Sequence, residues 1–163
     1  MIIRQEFMPK GHPSRPGLPM NNPTSITLHW IGPTPGQTPD VVRNYWLKGN
    51  DGKGIEASAH YVIKDSLCLQ CIPEQEVAWH CGSKGNYSSI GIEVIPMSIE
   101  GEYSADSIDT IIQLLKHLPR VQLLRHYDWT QKDCPKFYTP LVKDGQKRWD
   151  ELLEELYRER DEI

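Results

Sequence analysis

From residue 25 onward, short apolar runs alternate with amphipathic stretches. Ser25 to His29 is β-branched and apolar, and predicts a strand. Thr38 is placed as an N-cap, with Pro39 at the first helical position and Asp40 in the first turn. Val41, Val42, Tyr45 and Trp46 follow at helical spacing, and Gly49 suits the stop. Ala57 to Lys64 and Ser66 to Pro73 predict a hairpin whose tight Lys64-Asp65-Ser66 turn lacks the usual glycine. Ser89 to Pro96 is almost continuously apolar, the pattern of a strand in mid-sheet covered on both faces. Ser104 caps a helix with Ile108, Ile111, Ile112, Leu115 and Leu118 on its buried stripe, ended by Pro119. Val121 to Arg125 is a short strand running into His126. A last helix starts near Asp144 and buries Trp149, Leu152, Leu153, Leu156 and Tyr157. This mixture predicts a single α/β domain, a central mixed β-sheet flanked by α-helices. There is no internal repeat and no interdomain linker.

Three stretches break the pattern. Residues 1–23 hold Pro9, Pro13, Pro16, Pro19 and Pro23 with Gly11 and Gly17, which predicts an extended arm without regular structure, His12 on its surface. Loops are expected at Gly32-Pro33-Thr34-Pro35-Gly36-Gln37 and at Gly49 to Gly54. Another is expected from Trp79-His80-Cys81-Gly82 through Ser88.

At 163 residues with a quarter of them charged, the chain fits one globular domain. A net charge of −4 argues against nucleic acid as the main partner. No run approaches the ~20 apolar residues of a membrane span, so no membrane insertion is expected. Met1 to Glu6 lacks the basic-then-apolar signature of a signal peptide.

Of four cysteines, Cys68 and Cys71 form a CxxC inside a predicted strand. Residues three apart on a strand face opposite ways and share an ion badly, so these two are expected to fill core positions. Cys134 differs. His126 precedes it by a loop of seven intervening residues, and His29 ends an upstream strand. If the strands of His29 and His126 lie in one sheet, both imidazoles emerge at one edge and Cys134 returns to it. Two histidines and a thiolate suit one zinc ion, with the fourth tetrahedral position open to water. Glu93, a carboxylate inside an apolar strand, needs a partner or a task. It could take a proton from water, and Lys132 could stabilise a developing oxyanion. The plainer readings are an ion pair of Glu93 with Arg125 or Lys132, and a solvated Lys132. A structural zinc clamp would instead recruit Cys81 or His80 as fourth ligand.

Five pieces resemble, in order, the zinc-dependent type-2 N-acetylmuramoyl-L-alanine amidase superfamily, which includes phage lysis enzymes and peptidoglycan recognition proteins. They are Thr27-Leu28-His29-Trp30, Ser58-Ala59-His60-Tyr61-Val62-Ile63, Ala78-Trp79-His80-Cys81-Gly82, Ser89-Ile90-Gly91-Ile92-Glu93, and Arg125-His126 through Lys132-Asp133-Cys134-Pro135. The likeness is strongest to endolysin catalytic domains from phages and prophages of Gram-positive bacteria. It implies one Zn2+ on His29, His126 and Cys134 in a surface groove, with Glu93 as acid/base and Lys132 as oxyanion stabiliser. The implied reaction is hydrolysis of the amide between N-acetylmuramic acid and L-alanine of peptidoglycan. Some relatives carry a catalytic tyrosine where Ala59 stands, and Tyr61 points the other way along a strand, so the work falls to Glu93. His60, Trp79, His80 and Asn86 match groove positions, with packing or loop roles as the alternative. On this reading residues 1–163 form a single amidase domain with its catalytic core at 25–163. The chain would be a monomer made in the cytoplasm without a signal peptide, and would act at the bacterial cell wall after holin-type release or external application. The alternative is a module that binds peptidoglycan without cutting it. Non-catalytic relatives typically lack the zinc cysteine, and Cys134 is present.

Overall fold

The computed structural model describes residues 1–32 and 36–162. Pro33, Thr34 and Pro35, within one expected loop, lie outside the described residues. Among the described residues, six strands and five α-helices follow the chain in the order β1 (Ile2–Gln5), β2 (Ser25–Trp30), α1 (Pro39–Lys48), β3 (Tyr61–Lys64), β4 (Leu67–Gln70), α2 (Gly82–Ser88), β5 (Ser89–Val94), α3 (Ala105–Leu115), β6 (Gln122–Arg125), α4 (His126–Thr130) and α5 (Gly145–Asp161). A single 3-10 turn, Lys136–Tyr138, precedes α5.

The sheet order is β1-β4-β3-β5-β2-β6. All neighbours are parallel except the β3/β4 hairpin. The apolar β5 therefore lies inside the sheet, between β3 and β2. Alternation along the strands divides the interior in two. Ile26, Leu28, Ile63, Cys68, Ile90 and Ile92 pack with α3 and α5 residues such as Ile111, Leu115, Trp149 and Leu156 on one face. Val62, Leu69, Cys71, Val42 and Trp46 pack on the other. Cys68 and Cys71 thus belong to separate cores, as their spacing on a strand requires, and burial pushes both thiols up to about 12.

Local rules explain most boundaries. Thr38 accepts the Val41 N–H and Ser104 accepts the Ser107 N–H, both as N-caps. Asp65, at φ 52°, takes the left-handed position of the hairpin turn in place of the expected glycine. The hairpin strands are shorter than the pattern suggested. The helix capped by Ser104 ends at Leu115, ahead of Pro119, with Leu118 buried beyond it.

Two expectations need correction. The N-terminal arm is not wholly irregular. Its prolines begin at Pro9, so Ile2–Gln5 keep their N–H groups and add an edge strand parallel to β4. The rest of the arm lies on the domain: Met8 and Met20 are buried, and Arg15 makes a two-pronged pair with Glu76 at 2.7 and 2.9 Å. The stretch before β5 is not all loop. Gly82–Ser88 is helical, held by Asn86 Oδ1, which accepts the N–H groups of His80 and Cys81 at 2.8 Å each.

Thr27, His29, Gly91 and Glu93 point to the face opposite Ile26, Leu28, Ile90 and Ile92. On that face α1 packs over β3 and β4, while α4 packs on β2 and α2 on β5. The polar side chains of β2 and β5 lie between these helices.

Candidate metal centre and groove

β2 and β6 are parallel neighbours with Leu28 opposite Arg125. The residues that follow each, His29 and His126, therefore emerge at the same edge of the sheet. His126 is also the first residue of α4. Arg125 anchors the return of the chain. It is buried, donates to both oxygens of Asp128 at 2.8 and 3.2 Å, and reaches the Tyr138 carbonyl at 2.8 Å and Gln146 at 3.0 Å. Tyr127 N–H donates to the Cys134 carbonyl at 2.9 Å. These bonds bring Cys134 Sγ to 3.7 Å from His29 Nδ1, which lies 3.2 Å from His126 Nδ1. One ligand atom from each of His29, His126 and Cys134 lies within 4.8 Å of the others.

The donor set fits a zinc ion. Two imidazoles and a sulfur are preferred zinc donors, and three protein ligands leave a position open. Burial holds the His29 imidazole well below its ordinary pKa and lowers His126 to about 4, so both are neutral as ligands must be. Burial, reinforced by the Glu93 carboxylate, drives the Cys134 thiol far up. Becoming a thiolate there calls for a cation, and the Trp30 N–H at 3.4 Å already points at the sulfur.

Glu93 sits beside this cluster. Oε1 is 3.8 Å from His29 Nδ1, and Oε2 is buried without a hydrogen-bond partner among the described residues. Burial pushes the carboxyl up to about 8, with Lys132 pulling the other way. A buried polar atom left unpaired is expensive in a folded protein, and such atoms concentrate where a ligand or reaction uses them. The ion pair of Glu93 with Arg125 does not form, because Arg125 is committed to Asp128. Lys132 is exposed and makes no ion pair with Glu93 among the described residues, but its charge lowers the pKa of His29, Glu93 and His126 alike.

The four residues matched to a groove separate. Trp79 is half-buried and, with His80, Asn86, Cys81, Gly82 and Glu56, lines a hollow of about 330 Å3. His80 reaches the centre from behind, its Nδ1 2.9 Å from His29 Nε2, on the side of that ring away from Cys134. Asn86 is a staple for the turn into α2. His60 is a correction: it is fully buried and spans the interior, with Nδ1 accepting the Gly91 N–H at 2.9 Å and Nε2 donating to the Glu76 carbonyl at 2.8 Å. Tyr61 points to the opposite face and donates to Glu74. Neither His80 nor Cys81 joins the three ligand atoms among the described residues, so a four-ligand protein clamp does not form.

Sequence reasoning missed a second wall. Trp30, Ile31, Gln37, Val41, Val42, Tyr45 and Trp46 enclose, with Glu93, a cavity of about 460 Å3. Val41 and Tyr45 are 48% exposed although they lie on the apolar stripe of α1. That stripe is wider than the core needs, and its excess width was the available signal.

Fold and centre together define an α/β domain in which His29, His126 and Cys134, at the edge of a mostly parallel sheet, could hold a metal ion. The profile of the N-acetylmuramoyl-L-alanine amidase family (Amidase_2) matches residues 19–137, and the chain belongs to that family. A probable N-acetylmuramoyl-L-alanine amidase of Bacillus licheniformis is 29% identical over 174 residues, covering 93% of this chain and 48% of the relative. N-acetylmuramoyl-L-alanine amidase CwlH of Bacillus subtilis (strain 168) is 28% identical over 145 residues, covering 83% of this chain and 56% of the relative. The chain thus spans about half the length of the curated relatives it matches. Among solved structures, the catalytic domain of XlyA is 28% identical with a TM-score of 0.77, covering 96% of this chain and 99% of that one. A mutant endolysin from Bacillus subtilis gives a TM-score of 0.76 at 28% identity, covering 95% and 98%.

Proposed function

We propose that residues 1–163 form a zinc-dependent amidase domain of the endolysin type. It cuts the amide between the lactyl group of N-acetylmuramic acid and L-alanine in peptidoglycan. The observation that carries this reading is the unpaired, buried Oε2 of Glu93 beside three ligand atoms that lie within 4.8 Å of one another.

His29, His126 and Cys134 would hold the ion. When bound, it would supply a Lewis acid for the amide carbonyl and a lowered pKa for water. Glu93, drawn toward its ionised form by Lys132 and by the positive charge a bound ion would add, accepts the proton of the attacking water through its unpaired oxygen and delivers it to the leaving alanine nitrogen as the C–N bond breaks. Lys132 brings positive charge to the oxygen that becomes negative during attack. The cavity between α1 and Glu93, walled by Trp30, Val41, Tyr45 and Trp46, holds part of the substrate against the centre. The products are a muramic carboxylic acid and a free L-alanine amine. The chain works as a monomer at the cell wall, a site external to the membrane, and no described helix is long and apolar enough to cross one.

The test is digestion of purified peptidoglycan with and without a zinc chelator. New L-alanine amines without new reducing sugar ends, lost on chelation and restored by zinc, are expected. Reducing ends would mean a glycosidase. Co-sedimentation with walls and no new ends would mean a recognition module.

A further inference from the structure

A histidine ligand must offer a lone pair at the coordinating nitrogen, and the group on its other nitrogen decides whether it does. His29 presents Nδ1 to His126 and Cys134, and Nε2 to His80 Nδ1 at 2.9 Å. The far nitrogen of His80, Nε2, lies 3.0 Å from the Ser89 carbonyl. A carbonyl only accepts, so His80 carries its proton on Nε2. The Nδ1 of a neutral imidazole protonated at Nε2 is an acceptor, so His29 must donate to it from its own Nε2. The proton of His29 is thereby held away from the centre, and the lone pair of Nδ1 faces it.

We propose that His80 is a positioning residue that holds His29 in the Nε2–H tautomer, with the Ser89 carbonyl as the end of the chain. The opposite tautomer of His29 would set a lone pair of His80 Nε2 against the lone pairs of that carbonyl. A doubly protonated His80 would be a buried cation without a carboxylate at either ring nitrogen among the described residues: the residue is 9% exposed, and those nitrogens face an imidazole, a carbonyl and a thiol.

A second, independent feature is built around the same ring. A Cβ on Gly91 would lie 2.7 Å from His80 Cγ and Nδ1 and 2.9 Å from Cε1. Gly91 is in β5 at φ values open to any residue, so backbone freedom is not what glycine supplies there; room for the imidazole is. The Gly91 N–H is tied to His60 Nδ1, which keeps the strand in place beneath that ring. Gly91 and His60 thus form the floor on which His80 rests.

The inference rests on His29 being a zinc ligand, and the experiment separates the two. Asparagine and leucine share a shape, so His80→Asn and His80→Leu leave equal space, yet only the amide oxygen can accept from His29 Nε2. Zinc affinity of each folded chain is measured by chelator competition, and 15N shifts of labelled histidine in the metal-free chain locate the His29 proton. We expect the Nε2–H form in the parent chain and in His80→Asn, with zinc affinity within a few-fold. His80→Leu is expected to lose roughly 10–100-fold in affinity and to show mixed tautomers. Gly91→Ala should weaken zinc in the same direction. Equal losses in the Asn and Leu variants, or an Nδ1–H His29 in the parent chain, would overturn the proposal. If His80→Leu does not fold, the tautomer of the parent chain decides alone. A parent chain that binds no zinc would sink the zinc reading, while the proton's place on His29 still tests the link to His80.

Discussion

His29 and Glu93 stand opposite each other in register on the parallel strands β2 and β5, with Nδ1 and Oε1 3.8 Å apart. Register in a sheet is fixed by backbone pairing along the whole strand, so neither side chain can drift without moving the core beneath it. Ile26, Leu28, Ile90 and Ile92, all buried on the reverse face, hold that register. The centre is therefore preorganised by packing that never touches it.

Glu93→Ala is expected to keep fold and metal but lose roughly 10²–10⁴-fold in turnover, the range for a missing acid/base. Its melting temperature should be unchanged or higher, because a buried carboxylate with an unpaired oxygen is removed. Wall turbidity assays and zinc content per chain check both halves. Full activity would assign the proton transfer to another group.

Cys134→Ser replaces the thiolate by a poor zinc ligand. Bound zinc should fall below stoichiometric after dialysis and wall lysis should vanish, while circular dichroism stays that of the parent. Undiminished lysis by the chelated parent chain would refute the metal assignment.

Arg125→Ala removes the guanidinium that ties Asp128, the Tyr138 carbonyl and Gln146 together. Asp128 is partly solvated, which softens the loss, and about 2–4 kcal/mol of stability should go. Because the loop carrying Cys134 is released, zinc affinity should fall as well. Urea titration and chelator competition read the two effects separately.

Acid stability should report on His60. Burial holds its imidazole at about 4, against the opposing pull of the Glu76 carbonyl and carboxylate, while an unfolded histidine titrates near 6.5. Between those values the unfolded chain binds the extra proton. The His60 contribution to stability is thus complete above about 6.5 and declines by about 3 kcal/mol as pH falls toward 4. His60→Gln, able to keep the bond to the Glu76 carbonyl, should flatten that part of the curve in denaturant midpoints measured against pH.

Tyr45→Ala trims an exposed wall of the cavity beside Glu93 and leaves the core intact. Its melting temperature should move little, and kcat/KM on purified walls should fall several-fold, on the scale of one lost aromatic contact. An unchanged kcat/KM would remove α1 from the substrate groove.

Periodicity carried much of this protein. The Ile90–Ile92–Val94 run, the Thr38 and Ser104 caps and the stripe of α5 are local properties, and each is decided by residues within a few positions of one another. The donor types at His29, His126 and Cys134 are equally a matter of composition and order along the chain. Other features were settled by partners distant in sequence. Ile2–Gln5 becomes a strand because β4 offers an edge. Gly82–Ser88, with no apolar rhythm, is helical because Asn86 Oδ1 ties down the His80 and Cys81 N–H groups just ahead of it and Gly85 lets the chain lie against Cys81 and Trp129. His60 and His80 read alike as histidines beside aromatic neighbours. Only the stacking of one on Gly91, and the bonding of the other beneath it, separates a structural brace from a neighbour of His29. Local propensity acts over a turn or a pleat, whereas the environment of a side chain is created by whatever the fold brings against it.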